Sequence, residues 1–121
     1  MMTKEFRVTI LIPIYNRINT TKVGIKVLIN SLNQFSMIKY FSNVKYDVVV
    51  IDDYSNDGSS EFIKKYYPMI HLLRSKGNLW WSGCINYGLK YSINELNADY
   101  TLLWNDDIEP EKNYFKKLAE L

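Results

Sequence analysis

The fold class of this chain is decided by the stretch VTILIP at residues 8–13. A continuous apolar and β-branched run of this length is typical of a strand buried on both faces, as in a parallel sheet. The stretch VVVI at residues 48–51 repeats the pattern and stops at Asp52 and Asp53. Between the two runs, apolar residues fall partly at helical spacing and predict a helix over about 21–35. Together these segments predict a β-α-β unit.

Later segments continue the alternation. Apolar runs predict a third strand at 70–73 and a fourth at 100–104. A short helix is expected to end before Pro68, a longer one to run from Ser82 to about Leu96, and a last one to carry Pro110 in its first turn. The order β-α-β-α-β-α-β-α predicts an α/β fold: a Rossmann-like, doubly wound, mostly parallel sheet of about four strands with right-handed crossovers.

Length and composition favour one globular domain over residues 1–121. Apolar residues make up 47% of the chain and charged residues 23%, which excludes wholesale disorder. The formal net charge of +2 is too small to argue for a nucleic-acid partner. A single cysteine excludes an internal disulfide, and no apolar run is long enough to span a bilayer. The expected location is the cytoplasm, or the inner face of the membrane within a longer protein.

Polar side chains concentrate where three of the predicted strands end. The clusters are YNR at residues 15–17, DD at 52–53 and NDD at 105–107. Ligands of open α/β sheets bind outside the carboxyl ends of the strands. Because the three clusters should share that edge, the sequence predicts a ligand site there.

The acidic pairs indicate what such a site could hold. Paired carboxylates repel unless a divalent cation, a basic side chain or a shared proton lies between them. Oxygen ligands favour Mg²⁺, Mn²⁺ or Ca²⁺ over zinc, and Mg²⁺ commonly binds carboxylates together with substrate phosphates. The chain has no glycine-rich phosphate loop, so a nucleoside diphosphate held through a metal is the favoured ligand. Tyr15 offers a stacking face for its base, and Asp53 offers an acceptor for a ring N–H.

Four segments follow one another along the chain: residues 8–16, DDYSNDGS at 52–59, NLWWSGCINYG at 78–88 and ADYTLLWNDD at 98–107. In sequence and spacing they resemble the family 2 glycosyltransferases, which are inverting enzymes of the GT-A fold. The resemblance covers about residues 8–110. It implies a chain that binds a nucleotide-diphosphate sugar, with a UDP-sugar favoured, for inverting sugar transfer to a glycan or another acceptor hydroxyl.

The resemblance also implies roles for individual residues. Pro13 and Tyr15 would line the base pocket, and Asp53 would accept the ring N–H of a uracil-type base. Asp107 would hold Mn²⁺ or Mg²⁺ at the family's D-x-D position, where Asn105 replaces the first aspartate and removes one charge. The residues to which the resemblance gives nucleotide binding are Pro13, Tyr15, Asp52, Asp53, Asn78, Asn86 and Asp106.

The family pattern implies a second half that supplies the acceptor site and the catalytic base. Glu109, Glu111 and Glu120 follow the metal motif too closely to match that base. The expectation is therefore a truncated GT-A domain, the donor-binding half without the acceptor half, with little or no transfer of its own. Apolar surface left uncovered by the missing half is expected to make the chain a homo-oligomer.

Other classes of function compete with this interpretation. A non-catalytic α/β interaction module would have the fold without the chemistry. A signalling receiver domain also clusters aspartates, but its acidic pair follows the first strand, and it needs a fifth strand followed by a lysine. The spacing of residues 53–58 matches the start of an EF-hand calcium loop, yet Lys64 stands where that loop needs a glutamate.

Single motifs also have structural interpretations. The acidic pairs could be solvated turns or helix caps, and Tyr15 could be buried with its hydroxyl bonded. Trp80 and Trp81 stand where many family members have small residues, and they predict core packing, a dimer contact or a wall of the sugar pocket. Cys84 is expected to be a small buried apolar residue rather than a nucleophile.

Overall fold

The computed structural model describes residues 4–121, in which strands and helices alternate along the chain. A short 3-10 turn at Lys39–Phe41 separates the first helix from the second strand. The predicted β-α alternation is confirmed. The elements are β1 (Phe6–Ile14), α1 (Ile18–Ser36), β2 (Val44–Asp52), α2 (Ser59–Tyr66), β3 (His71–Arg74), α3 (Trp80–Asn94), β4 (Tyr100–Leu103) and α4 (Tyr114–Ala119).

The four strands form one parallel sheet in the order β3-β2-β1-β4. The chain adds β2 and β3 on one side of β1 and then returns to add β4 on the other side. This reversal places a topological switch point between β1 and β4, the position at which ligands of such sheets bind. The predicted Rossmann-like, doubly wound parallel α/β sheet is confirmed.

Apolar residues of the central strands alternate between the two faces of the sheet. On β1, Ile10 and Ile12 belong to a core that also contains Leu28 of α1 and Phe115 of α4. Leu11, between them, belongs to a second core on the side of α3. Burial of both faces explains why these strands are continuous apolar runs rather than alternating ones.

The first strand includes Pro13 and continues one residue beyond it. Pro13 pairs with Ile51 and Ile14 with Asp52. Pairing with β4 has already ended at Leu11. Proline has no backbone N–H to donate, but at Pro13 no residue of β4 is paired that would need one.

The predicted starts of the last two helices are wrong by several residues. α3 begins at Trp80 rather than at Ser82, because Asp53 of another loop accepts the N–H groups at its start. α4 begins after Pro110, directly behind Asn113, whose left-handed backbone (φ 64°) interrupts any earlier helical turn. Both errors concern helix ends, and the elements themselves are present.

One edge of the sheet is formed by β4, where Tyr100 and Leu103 expose their side chains. Whether this apolar surface makes the chain a homo-oligomer stays a prediction. Over residues 4–121, no helix is both long and apolar enough to cross a bilayer.

Candidate functional site

A cleft of about 370 Å³ opens at the carboxyl ends of β1 and β2, next to the switch point. Its volume is within the range of small-molecule sites. Loops that follow all four strands contribute to its walls. The lining residues are Pro13, Ile14, Tyr15, Arg17, Asp53, Tyr54, Lys76, Gly77, Asn78, Trp80, Trp81, Cys84 and Asp106.

Asp52, the last residue of β2, lies behind the cleft and is fully buried. Its carboxylate accepts hydrogen bonds from the Ser55 backbone N–H (2.9 Å) and from the Ser60 hydroxyl. An Arg74 guanidinium nitrogen lies 3.4 Å from the same carboxylate. These contacts tie β2 to α2 and β3. Because Asp52 does not line the cleft, the structure does not support the direct nucleotide contact expected of it.

Asp53 lines the cleft and also caps α3. One carboxylate oxygen accepts the Ser75 hydroxyl (2.6 Å) and the Leu79 N–H (3.1 Å), and the other accepts the Trp80 N–H (3.0 Å). Burial by itself would raise the pKa of Asp53, but the three hydrogen bonds outweigh it, and the pKa is lowered. The group is therefore an ionised acceptor at neutral pH.

Asp57 caps two helices at once. One oxygen accepts the Ile18 N–H at the start of α1 (2.9 Å), and the other accepts the N–H and the hydroxyl of Ser59 at the start of α2. Burial acts to raise the pKa of Asp57, and these hydrogen bonds lower it below its ordinary value. The cap thereby holds the loop after β1 against the loop after β2.

The loop after β4 carries the second acidic pair. Asp106 is buried and accepts the Thr21 hydroxyl at 3.0 Å. The Arg17 guanidinium lies between the two acids, 3.4 Å from an Asp106 oxygen and 3.6 Å from an Asp107 oxygen. Unlike Asp106, Asp107 leaves 55% of its side chain exposed, and it lies at the margin of the cleft rather than in its lining.

A glycine permits this loop to approach α1. A Cβ atom at Gly24 would lie 1.8 Å from the Asp106 carbonyl oxygen, which is a distance that no side chain can occupy. Helix α1 therefore contacts the acidic loop backbone to backbone, and Thr21, one turn earlier, reaches the Asp106 carboxylate.

The chemistry of this acidic pair fits a divalent cation. A positive group, Arg17, already lies between the two carboxylates, which is one of the arrangements that the sequence left open. Mg²⁺ and Mn²⁺ bind one or two carboxylates and take their other ligands from water and phosphate. Within residues 4–121, no three or more His, Cys, Asp or Glu side chains converge as a metal group. Asp106 and Asp107 would thus supply the protein's share of the ligands.

Strained backbone is concentrated around the cleft. Six residues other than glycine have positive φ in the described chain. Four of them lie at this edge of the sheet, in its loops or at the start of α3: Asn16, Tyr54, Asn78 and Trp80. Asparagine tolerates the left-handed region, but tyrosine and tryptophan rarely adopt it. Such outliers accumulate at functional sites, where the surrounding structure holds them in place.

The structure brings most of the predicted nucleotide-binding residues together. Pro13, Tyr15, Asp53, Asn78 and Asp106 line one cleft. Tyr15 is 54% exposed, which contradicts the alternative that it is buried. Their convergence follows from the strand ends at which they stand.

Besides Asp52, Asn86 is a predicted nucleotide-binding residue that does not line the cleft. It lies almost two turns into α3, on the exposed side of that helix. Cys84 of the same helix does line the cleft, although its side chain is buried as predicted. Burial, followed by the charges of Asp53 and Asp52, raises the pKa of this thiol to about 11, so it stays protonated at neutral pH.

Several lining residues were not predicted as site residues. Arg17 belongs to the YNR cluster at the end of β1. Its positive charge, at the same sheet edge as the acidic pairs, is the sequence signal that could have identified it as a site residue. Tyr54 directly follows Asp53, and the KGN run at 76–78 contains turn residues before a helix. Trp80 and Trp81 were considered as a pocket wall, and the structure shows that both are exposed and line the cleft, which excludes core packing.

A parallel sheet with a ligand cleft and paired aspartates at its switch point defines a Rossmann-like α/β domain of the GT-A type. The chain belongs to glycosyl transferase family 2, whose model matches residues 9–121. It is therefore a glycosyltransferase-family domain, as the sequence motifs predicted.

The chain is also similar to individual proteins and, in its fold, to solved structures. The low-salt glycan biosynthesis hexosyltransferase Agl10 of Haloferax volcanii is 28% identical over 94 residues, 76% of this chain and 30% of that protein. Residues 1–349 of TarS from S. aureus match with a TM-score of 0.68 at 24% identity, over 95% of this chain and 32% of that one. The mannosyltransferase PcManGT from Pyrobaculum calidifontis, in complex with GDP-Man and Mn²⁺, matches with a TM-score of 0.63 at 19% identity, over 97% and 31%. The chain thus spans about a third of the length of these proteins.

Proposed function

We propose that this chain binds the nucleotide-diphosphate sugar donor of an inverting glycosyltransferase in the cleft, with a UDP-sugar favoured. The acceptor in this proposal is a hydroxyl of a glycan or of another molecule. The observation that carries the proposal is the convergence of three groups at one sheet edge: exposed aromatic rings, an ionised acceptor at Asp53, and the pair Asp106 and Asp107. Structures of TarS with UDP and with UDP-GlcNAc and of PcManGT with GDP-Man add support from the same fold.

The preference for uracil rests on the acceptors left on Asp53. An ionised carboxylate offers about four lone-pair positions and no donor. Ser75, Leu79 and Trp80 use three of these positions, so one acceptor remains beside the cleft. A ring N–H of uracil, or the nearly identical edge of thymine, satisfies it. Cytosine presents a ring nitrogen lone pair at that position and would be repelled.

The diphosphate is proposed to lie toward the acidic loop. A divalent cation, Mn²⁺ or Mg²⁺, held by Asp107 with Asp106 beside it, would neutralise the charge of the phosphates when it is bound. Arg17 lines the cleft and pairs with both acids, so it can turn its guanidinium to the phosphate oxygens without leaving the site. Thr21 keeps the Asp106 carboxylate in place through its hydroxyl.

A second function, that of a non-catalytic interaction module, is favoured by one observation. The hydrogen bonds of Asp53 and Asp57 cap three helices, so these acids have a structural purpose even without a ligand. This alternative predicts a folded protein that does not bind nucleotides.

Calorimetric titration of UDP, with and without Mn²⁺, separates the two functions. The donor-site proposal predicts metal-dependent binding that is lost in Asp107→Ala and weak or absent binding of CDP. Glu109→Ala is the matched control, because Glu109 is an exposed acid in the same loop and is expected to leave binding unchanged. A folded wild-type protein that binds UDP neither with nor without Mn²⁺ would contradict the proposal and favour the interaction module.

A further inference from the structure

Trp80 has a backbone conformation that its residue type rarely adopts. Its φ is 57°, in the left-handed region, and it stands at the first position of α3. For a bulky residue this conformation is a clear outlier, and the folded structure must hold it against its backbone strain. Nearby Gly77 and Asn78 also have positive φ, but glycine and asparagine tolerate this region.

The strain is not offset by burial of the indole. Trp80 leaves 75% of its side chain exposed, although it lines the cleft. A tryptophan that only packed in the core would bury a large apolar area. The cap of α3 does not require a tryptophan side chain either, because the hydrogen bond to Asp53 comes from the Trp80 backbone N–H.

That hydrogen bond fixes where the indole lies relative to the proposed base. The Trp80 nitrogen is 3.0 Å from an Asp53 oxygen. A ring N–H donated to the same carboxylate would place its heterocycle within a few ångströms of the Trp80 backbone, on the side of the cleft that the indole lines. Stacking of a base on an aromatic side chain strengthens binding by about tenfold.

We infer that the Trp80 indole is a stacking surface for the nucleoside held by Asp53, and that the strained backbone at Trp80 serves to place it there. This inference rests on the proposed function and deepens it, because it names a residue that determines affinity for the nucleoside part. It adds a second aromatic surface to that of Tyr15, whose exposed ring lines the cleft from the end of β1.

The decisive variant is Trp80→Gly. Glycine adopts the left-handed region without strain and keeps the backbone N–H that caps Asp53. The variant is therefore expected to stay folded, with a thermal midpoint no lower than that of the wild type because the backbone strain is relieved. Its affinity for uridine and for UDP is expected to fall about tenfold. Trp80→Phe, which keeps an aromatic face, is expected to retain most of the affinity. Tyr100→Ala removes an exposed aromatic side chain that does not line the cleft, at the start of β4, and serves as the control.

The ligands used in the titration distinguish stacking on the base from contact with the sugar. Equal loss of affinity for uridine, UDP and UDP-GlcNAc supports the inference. A loss confined to UDP-GlcNAc would assign the indole to the sugar and overturn it, and so would unchanged affinity for all three ligands. The proposed function fails separately, through absence of UDP binding by the wild-type protein, and the inference then fails with it.

Discussion

Paired aspartates lie at the end of β2 and in the loop after β4, but their carboxylates have different surroundings. Asp52 is fully buried and accepts hydrogen bonds from the chain, and Asp53 and Asp57 receive the N–H groups at the starts of three helices. Asp107 is 55% exposed, and its partner in the structure is the Arg17 guanidinium 3.6 Å away. Two similar sequence motifs therefore have different roles: the acids at the end of β2 and in its loop stabilise the structure, and Asp107 is largely open to solvent.

The difference separates acids that shape the cleft from acids that can serve a ligand. A carboxylate whose lone pairs are filled by backbone N–H groups holds loops and helices in place, and it has little capacity left for a ligand. An exposed carboxylate in a loop has its lone pairs available, and its desolvation on binding a cation costs little free energy. Asp53 stands between these extremes, since it caps α3 and still retains one acceptor beside the cleft.

The largest effect is expected for Asp52→Ala. The variant leaves the Ser60 hydroxyl and the Ser55 N–H without their acceptor, and Arg74 without its buried counter-charge. Loss of one partner of such a buried network costs about 3–5 kcal/mol. Urea unfolding at neutral pH measures the free energy of unfolding directly. A loss below about 1 kcal/mol would show that Asp52 does not hold the β2 loop together.

A smaller loss is expected for Asp57→Ala, which removes the caps of α1 and α2. Each helix cap contributes about 1 kcal/mol, so the free energy of unfolding should fall by about 2 kcal/mol. Asp57→Asn keeps one carbonyl oxygen and is expected to lose about half as much. Equal stability of Asp57→Ala and the wild type would mean that solvent replaces these hydrogen bonds without cost.

The same cap predicts the sign of a pH dependence. The pKa of Asp57 is lowered in the folded state, so the unfolded chain binds the proton more readily. The stabilisation is present above the ordinary aspartate pKa and is lost as the pH falls through the folded-state value. Unfolding free energies measured between pH 6 and pH 3 should therefore decline less steeply in Asp57→Ala than in the wild type.

The sheet could be predicted because its information is local. The runs at 8–12 and 48–51 are apolar throughout since both faces of β1 and β2 are buried, and the polar clusters that follow them mark the strand ends. The edge of the sheet on which the candidate residues meet then follows from parallel topology. Five of the predicted nucleotide-binding residues line the cleft for this reason.

The helix starts and the partners of the acids could not be predicted, because they depend on contacts between distant segments. The cap of α3 comes from Asp53, which precedes α2 and β3 in the sequence, and the cap of α1 comes from Asp57 in another loop. Arg17 and Asp107 meet only once β1 and β4 are neighbours in the sheet. No local spacing in the sequence encodes these pairings.

The smallest effect on stability is expected for Asp107→Ala. Exposed ion pairs contribute about 0–1 kcal/mol, and Arg17 keeps its contact with Asp106 in the variant. The free energy of unfolding should therefore change by less than about 0.5 kcal/mol, in contrast with Asp52→Ala, when both are measured by urea unfolding under the same conditions. A loss above about 1 kcal/mol would place Asp107 among the structural acids and remove the distinction between the two loops. An unchanged stability would show that the fold does not depend on the Asp107 carboxylate, as the proposed binding of a metal and a phosphate requires.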